Sequence, residues 1–190
     1  GFLMRFIPGV KRIREAVDKG EIGTVVYATA RRVSQWPERI GDVGVVKDLA
    51  IHDIDITRHI FDDDPVEVYA KAGNFRHKKF EDHAQILLTF KRGKTAFIEA
   101  NWLTPYKIRK LIVTGSEAIM TLDYITQEIT METAGQTVAP RYEVKEPLKL
   151  ELQHFANSIL NGKEPIITGI DGLRAVQVAE AALQSAQRGT

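Results

Sequence analysis

The segment spanning residues 66–146 constrains the fold more than any other, because turn residues divide it into short runs rich in β-branched and aromatic side chains. Two of its turns, Lys-Arg-Gly-Lys at residues 91–94 and Gly-Ser-Glu at residues 115–117, contain the glycine expected of a hairpin. Short connections favour pairing between successive strands, so the segment predicts a largely antiparallel meander. The predicted strands are residues 66–72, 83–90, 95–102, 109–114, 118–123, 125–133 and 141–145.

Helical and strand patterns on either side of this segment complete the predicted architecture. A helix is predicted over residues 8–19, a strand over residues 24–33 and a second helix over residues 44–61. Two more helices, at residues 148–160 and 171–188, close the chain. The pattern predicts an α+β fold, with an open, largely antiparallel sheet of about six to eight strands and helices packed on one face.

Some predicted strands carry apolar side chains on both of their faces. In Ile86-Leu87-Leu88 and in residues 96–98 hydrophobic side chains follow one another, so both faces of the sheet carry them. An exposed apolar surface of more than a few hundred Å² usually marks an interface. We therefore expect a homo-oligomer, a dimer or larger, that forms through the open face of the sheet.

Composition excludes several classes of protein. The chain has 190 residues, enough for one sizeable core, and its formal net charge of +1 gives no reason to expect nucleic acid or an anionic membrane as a partner. It has no cysteine, which excludes thiol catalysis and zinc–thiolate sites and fits the cytoplasmic location that we expect. No apolar run approaches the roughly 20 residues of a membrane-spanning helix.

Four ionisable side chains on the predicted helix 44–61 share one helical stripe, since Asp48, His52, Asp55 and His59 stand at i, i+4, i+7 and i+11. Apolar side chains, mostly isoleucine, flank the stripe on both sides. Burial of both flanks would leave the stripe at the floor of a cleft, where ionisable groups acquire shifted pKa values and act as acids or bases. His and Asp four residues apart can also share a metal ion, but no third group of ligands is apparent and no metal is predicted.

The loop that precedes this helix, residues 34–44, supplies two further candidates. Loops that lead into a functional helix often line the binding cleft. We therefore interpret Trp36 and Arg39 as substrate contacts, with an exposed loop position as the alternative for each.

The spacing of Gly44, Asp48 and His52, followed by Asp55, resembles a motif of the oxidoreductase family named for glucose–fructose oxidoreductase and inositol dehydrogenase, Gfo/Idh/MocA. In that family a glycine, then Asp-x-x-x-His and often a further Asp, mark the active-site helix of the second domain. Further matches in the expected order extend the resemblance over nearly all of the chain. They are Arg5-Phe6-x-Pro8, Gly20-Glu21-Ile22-Gly23, Gly115-Ser116-Glu117 and residues 165–172.

The resemblance implies a domain of the glyceraldehyde-3-phosphate dehydrogenase-like C-terminal type, with residues 1–190 forming the substrate-binding and oligomerising domain of a two-domain enzyme. The apolar residues 1–6 read as the end of a buried strand, so we expect that an N-terminal Rossmann domain is absent from this sequence. That domain would bind most of the NAD or NADP. No cofactor-binding residue is predicted here, because the chain has neither Gly-x-Gly-x-x-Gly nor Glu-Lys-Pro.

By the same resemblance the activity is NAD(P)-dependent oxidation or reduction of a secondary alcohol on a sugar, a nucleotide-sugar or a cyclic polyol, with nucleotide-sugar dehydrogenases the most similar members. His52 would be the general base in oxidation, Asp48 would hold the substrate or orient the imidazole, and Asp55 would support the substrate site. This chain alone is expected to be inactive. Two alternatives stay open, a non-catalytic sugar-binding or scaffolding protein of the same fold and a metal-dependent lyase or hydrolase.

Overall fold

The computed structural model describes residues 1–38 and 42–189. Within them the chain forms one sheet of eight strands and four α-helices. The strands are β1 (Val25–Val33), β2 (Pro65–Gly73), β3 (His83–Phe90), β4 (Thr95–Asn101), β5 (Ile108–Gly115), β6 (Ile119–Asp123), β7 (Glu128–Glu132) and β8 (Thr137–Val138). The helices are α1 (Pro8–Asp18), α2 (Ile51–Phe61), α3 (Pro147–Leu160) and α4 (Gly169–Arg188). In this part of the chain no helix has the length and apolarity needed to cross a membrane.

The sheet is mixed, with the strand order β2-β3-β4-β1-β5-β6-β7-β8. Strand β1 lies in the middle, parallel to β4 and antiparallel to β5, and the other neighbouring strands are antiparallel. The predicted α+β class with a largely antiparallel sheet is confirmed. The meander is interrupted, however, because β1 inserts between β4 and β5. Parallel neighbours need a long connection, which α2, β2 and β3 supply between β1 and β4.

The core lies between one face of the sheet, which we call the inner face, and three helices. Alternate residues of the central strands point into it, and Ala30 of β1 pairs in register with Ile98 of β4, both buried. Helices α1, α2 and α4 cover this face and contribute Ile13, Ile54 and Ala179 to the same core. The opposite face, which we call the outer face, carries the alternate side chains of the strands.

Two local predictions are wrong. Residues 141–145 form no strand, and the last strand is the two-residue β8 at the edge of the sheet. β8 pairs with β7 on one side, and residues 141–145 add no strand to its other edge. The first residues are not the end of a strand either, since Leu3–Phe6 form a 3₁₀ turn in which Met4 is buried.

Helix α3 exposes its apolar side chains instead of burying them. It packs beside the 3₁₀ turn at Leu3–Phe6, yet Leu152, Phe155 and Ile159 are each more than half exposed. Ile170 and Leu173, at the start of α4, are also more than half exposed. We call these five side chains the α3 surface. Exposed apolar surface of this kind usually marks an interface.

Candidate active site

A π-helical turn, Val46–Ala50, precedes α2 and holds Asp48. Its signature is the Ile51 N–H, which donates a hydrogen bond to the carbonyl of Val46, five residues earlier. Such turns are rare, and they occur frequently at functional sites. The wider turn changes the helical phase between Asp48 and α2, so the stripe predicted from a constant 3.6-residue period does not continue through it.

Glu81 fixes the start of this turn. Its carboxylate accepts a hydrogen bond from the Val46 N–H at 3.1 Å, and its carbonyl accepts one from the Val45 N–H at 2.9 Å. A Cβ atom added to Gly44 would lie 2.1 Å from that carboxylate, which explains the glycine ahead of Asp48. The sequence did not predict the role of Glu81, because Glu81 lies 35 residues from Val46 and no local sequence pattern connects the two.

Asp48 lines a cavity of about 310 Å³, which we call the Asp48 cavity. Arg109 of β5 and Lys107, just before that strand, line the same cavity. It therefore brings together the π-helical turn, the loop that follows β1 and the start of β5. The other lining residues are Ser34, Gln35, Pro37, Leu49 and Trp102.

His52 follows Asp48 by one turn and is half-buried. Its Nδ1 atom is closed off from solvent without a hydrogen-bond partner among the described residues, and the Phe2 ring meets it edge-on at 6.5 Å between centroids. Burial, reinforced by the charge of Arg32, lowers the pKa of His52 below its ordinary value of 6.5, although Asp53 and Asp48 act in the opposite direction. The imidazole is therefore neutral at pH 7, and Nε2 is the nitrogen left to exchange a proton.

Arg32 and Asp53 form a buried ion pair whose charges act on His52. The guanidinium donates to both carboxylate oxygens, from Nε at 2.7 Å and from Nη2 at 2.8 Å. It also lies over the Tyr124 ring, 5.3 Å from the centroid. Sequence reasoning missed this pair, although an arginine at an inner-face position of β1 is a signal that a buried carboxylate faces it.

None of His52, Asp55 and His59 lines the Asp48 cavity, although the charges of Asp48 and Arg109, which do, act on His52. The Asp55 side chain is fully buried and accepts hydrogen bonds from Nε and Nη2 of Arg5, at 2.8 and 2.5 Å. The same guanidinium donates to Asp171 at 2.8 Å, so Arg5 links Asp55 of α2 to Asp171 of α4. Because Arg5 already occupies its carboxylate, Asp55 does not reach the Asp48 cavity, and its support of the substrate site stays a prediction. Burial, followed by the charges of Arg5 and Arg14, lowers the pKa of His59 to about 4.

Trp36 lines a second cavity of about 890 Å³, which we call the aromatic cavity. Gln35 and Trp102 line both cavities, so the aromatic cavity is next to the Asp48 cavity. Trp36 is therefore placed to contact a substrate only if that substrate extends beyond the Asp48 cavity. The other candidate from this loop, Arg39, lies outside the described residues.

Asp82 shapes one wall of the aromatic cavity. Its carboxylate accepts hydrogen bonds from the backbone N–H groups of Phe75, Arg76 and His77, at 2.6 to 2.9 Å. Burial alone would raise the pKa of Asp82, but these bonds lower it to about 2. The turn that they fix places the Arg76 guanidinium 4.9 Å from the Trp36 ring centroid and stacks His77 on the same ring.

A family model, the GFO/IDH/MocA C-terminal domain, matches residues 10–121 of this chain. The matched segment contains Asp48 and His52 and is more than half of the 190 residues.

Curated relatives match along nearly the whole chain. The uncharacterised oxidoreductase YrbE of Bacillus subtilis is 31% identical, over 97% of this chain and 59% of that protein. The scyllo-inositol 2-dehydrogenase (NAD(+)) of the same organism is 30% identical, over 100% of this chain and 60% of that protein. The UDP-N-acetylglucosamine 3-dehydrogenase of Acidithiobacillus ferrooxidans is 25% identical, over 94% and 59%. This chain therefore spans about 60% of the length of these relatives.

Solved structures share the fold. The UDP-N-acetylglucosamine 3-dehydrogenase GnnA of Acidithiobacillus ferrooxidans superposes with a TM-score of 0.90 at 22% identity, over 99% of this chain and 61% of that one. The aldose-aldose oxidoreductase of Caulobacter crescentus gives a TM-score of 0.89 at 24% identity, over 100% and 62%. Together with the family match, which includes the Asp48–His52 pair, these findings confirm the resemblance read from the sequence: the chain belongs to the GFO/IDH/MocA family and matches its C-terminal domain.

Proposed function

We propose that this chain is the catalytic and substrate-binding part of an NAD(P)-dependent dehydrogenase that acts on a secondary alcohol of a sugar, a nucleotide-sugar or a cyclic polyol. The observation that carries the proposal is the pairing of Asp48, on a cavity wall, with a neutral His52 one helical turn later. The relatives support it, since several are dehydrogenases of inositol, of xylose and of a nucleotide-sugar.

The proposed chemistry assigns one role to each residue of the pair. Oxidation of a secondary alcohol removes a hydride from carbon and a proton from oxygen, and a bound nicotinamide supplies the hydride acceptor. Nε2 of His52 takes the hydroxyl proton in oxidation and returns it in reduction. Asp48 accepts a hydrogen bond from a substrate hydroxyl and so holds the reacting carbon beside the imidazole.

The phosphates of the cofactor need a binding loop that this chain does not contain, because no Gly-x-Gly-x-x-Gly occurs in it. We propose that a Rossmann domain, N-terminal in the full-length protein, supplies that site and packs on the α3 surface. The exposed apolar side chains of that surface and the greater length of the relatives support this assignment. The isolated chain should then bind neither NAD nor NADP tightly and should show no dehydrogenase activity.

We also propose a homo-oligomer that forms through the outer face of the sheet. One row of side chains there is in register across five strands and consists of Tyr69, Leu87, Phe97, Thr29 and Ile112. Tyr69, Leu87 and Phe97 are each more than 40% exposed. Three adjacent, largely apolar side chains with this exposure are typical of a surface that pairs with another.

Two substitutions in the full-length enzyme test the proposed function. His52→Gln should lower kcat by about 10²- to 10⁴-fold with a smaller change in KM, because a general base acts mainly in the transition state. Asp48→Asn should lower kcat and raise KM together, since it weakens both substrate binding and the orientation of the imidazole. Steady-state kinetics measure both effects.

His59→Gln is the matched control, because His59 is a half-buried histidine of the same helix that lines a different cavity, with Arg5 and Arg58, whereas the charges of Asp48 and Arg109 act on His52. Its kcat should stay near that of the wild type. A His52→Gln enzyme with a near-normal kcat would count against the proposal and would favour the main alternative, a non-catalytic sugar-binding or scaffolding protein of the same fold.

The third alternative, a metal-dependent lyase or hydrolase, needs a cluster of ligands. Within residues 1–38 and 42–189 no three His, Asp or Glu side chains are grouped so that they could hold a metal ion. We therefore propose no metal site on this part of the chain.

A further inference from the structure

Two cations line the Asp48 cavity without a carboxylate partner. Neither Lys107 nor Arg109 forms an ion pair within 4.0 Å in the part of the chain that the structure describes. Arg109 is half-buried, and burial together with the charge of Arg32 lowers its pKa, although the charges of Asp53 and Asp48 act in the opposite direction. A partly desolvated guanidinium without an anion carries a free-energy cost, which a bound anion would offset.

The other charges at this cavity do not cancel the two cations. Arg32 is already neutralised by Asp53 in the buried ion pair, and His52 is neutral at pH 7. Among the described residues that line the cavity, Asp48 is the one carboxylate that faces Lys107 and Arg109. The cavity therefore has an excess of positive charge where the proposed substrate binds.

We propose, building on the dehydrogenase function above, that Lys107 and Arg109 bind an acidic group of the substrate, either a carboxylate or a phosphate, close to the carbon that is oxidised beside His52. The planar guanidinium of Arg109 suits two parallel hydrogen bonds to such a group, and Lys107, at the exposed rim, adds a second positive charge. The substrate class is then an acidic sugar, a uronic acid or a sugar joined to phosphate, rather than a neutral polyol or aldose.

The aromatic cavity gives the rest of such a substrate a place to lie. It adjoins the Asp48 cavity through Gln35 and Trp102, and at about 890 Å³ it is the larger of the two. Phe75, which lines it, is 85% exposed, so its ring is free to pack on a bound group. A group attached beyond the acidic function would enter this cavity, which favours substrates longer than a single sugar.

Kinetics of the full-length enzyme on matched substrates test the proposal. A neutral hexose, the hexuronate and the hexose 1-phosphate of the same configuration are compared by kcat/KM. At least one acidic substrate should exceed the neutral sugar by about 10-fold or more, and Arg109→Gln should lower the acidic-to-neutral ratio by roughly 10- to 100-fold. Preference for the hexuronate identifies a carboxylate as the group bound, and preference for the hexose 1-phosphate identifies a phosphate.

Lys19→Gln is the control, because it removes the same charge from an exposed position that lines neither cavity. It should leave the ratio unchanged. Preference for the neutral hexose, or an unchanged ratio in Arg109→Gln, would overturn the acidic-substrate proposal while leaving the dehydrogenase function standing.

A binding measurement separates failure of the anion site from failure of the proposed function. If none of the three sugars is oxidised, calorimetric titration of the same protein with hexuronate and hexose 1-phosphate tests the anion site apart from the dehydrogenase function. Binding that Arg109→Gln weakens at least about 10-fold supports the site, and the absence of binding by either compound overturns it.

Discussion

At the scale of single residues, the proposed general base lies in the field of a buried ion pair. His52 lies in the field of Arg32 and Asp53, whose two hydrogen bonds are buried with them. Burial is the main cause of the lowered pKa of His52, the Arg32 charge adds to it, and Asp53 and Asp48 act in the opposite direction. The imidazole is neutral at pH 7, which is the form that a base needs. The same burial makes the pair costly to break, because each ion left alone would be desolvated without a partner.

The ion pair should therefore show strong coupling in unfolding experiments. Arg32→Met and Asp53→Leu should each destabilise the protein by about 3–5 kcal/mol, because each leaves one buried charge unpaired. The double variant should cost less than the sum of the two. Urea unfolding measures all three, and strictly additive effects would show that the two residues are not coupled.

Arg31 offers a matched control for this double-mutant cycle. It is the neighbouring arginine on β1, but it pairs with Glu99 on the outer face and is about half exposed. Arg31→Met should cost less than about 1 kcal/mol, as is usual for an exposed ion pair.

At the scale of the elements, side chains that cap turns position the walls of both cavities. Glu81 holds the start of the π-helical turn beneath Asp48, and Asp82 holds the turn that carries Phe75 and Arg76. These two acids are adjacent in the loop between β2 and β3. One connection therefore supports both the Asp48 cavity and the aromatic cavity.

Asp82→Asn should destabilise the protein by about 2 kcal/mol at pH 7. The pKa of Asp82 is about 2 in the folded state, below the ordinary 3.8, so its contribution is present above pH 3.8 and is lost as the pH falls through 2. Urea unfolding at pH 7 and at pH 2.5 measures this contribution, and the difference in stability between the two proteins should be clearly smaller at the lower pH. Asp18→Asn, which removes an exposed carboxylate paired with Arg14, should cost less than about 1 kcal/mol. An Asp82→Asn protein as stable as the wild type at pH 7 would contradict the capping role.

Periodicity in the sequence predicts the helices and most of the strands, because their signals are local. The predicted helices at residues 8–19, 148–160 and 171–188 correspond to α1, α3 and α4. The position of β1 between β4 and β5 could not be predicted, since a parallel pair formed after two other strands leaves no mark on nearby residues.

The candidate site was accessible to sequence reasoning only in part. Asp48 and His52 follow from their spacing and from the family resemblance. Asp55 shares the same pattern, but its environment depends on Arg5, which lies 50 residues away in the chain. The helical spacing of residues in the sequence predicts which of them share one side of a helix. Contacts with distant parts of the chain decide whether such a residue faces a cavity or a buried arginine.

At the scale of the whole molecule, we propose that two exposed apolar surfaces each form a contact, one with another domain and one with a second copy of the chain. The α3 surface is assigned to a Rossmann domain, and the outer face of the sheet is assigned to a second copy of the chain. They lie on different elements, since the first is built from helices and the second from strands. The two contacts can therefore form in the same assembly.

Phe97→Asp should convert the proposed oligomer to a monomer, because it places a charge in the middle of the apolar row on the outer face. Light scattering at micromolar concentration measures the mass. Phe75→Asp is the control, as it changes an exposed phenylalanine outside the strands and should leave the mass unchanged. A wild-type chain that scatters as a monomer of 21.3 kDa would contradict the proposed interface.

The measurement that tests the central claim most directly is the pH dependence of kcat/KM for alcohol oxidation by the full-length enzyme. Because the pKa of His52 is lowered below 6.5, kcat/KM should rise along a limb centred below pH 6.5 and should be level at pH 7 and above. In His52→Gln the limb should disappear and the small remaining rate should not vary with pH over this range. A limb that persists in His52→Gln, or one centred above pH 6.5 in the wild type, would contradict the assignment of His52 as the group that transfers the proton.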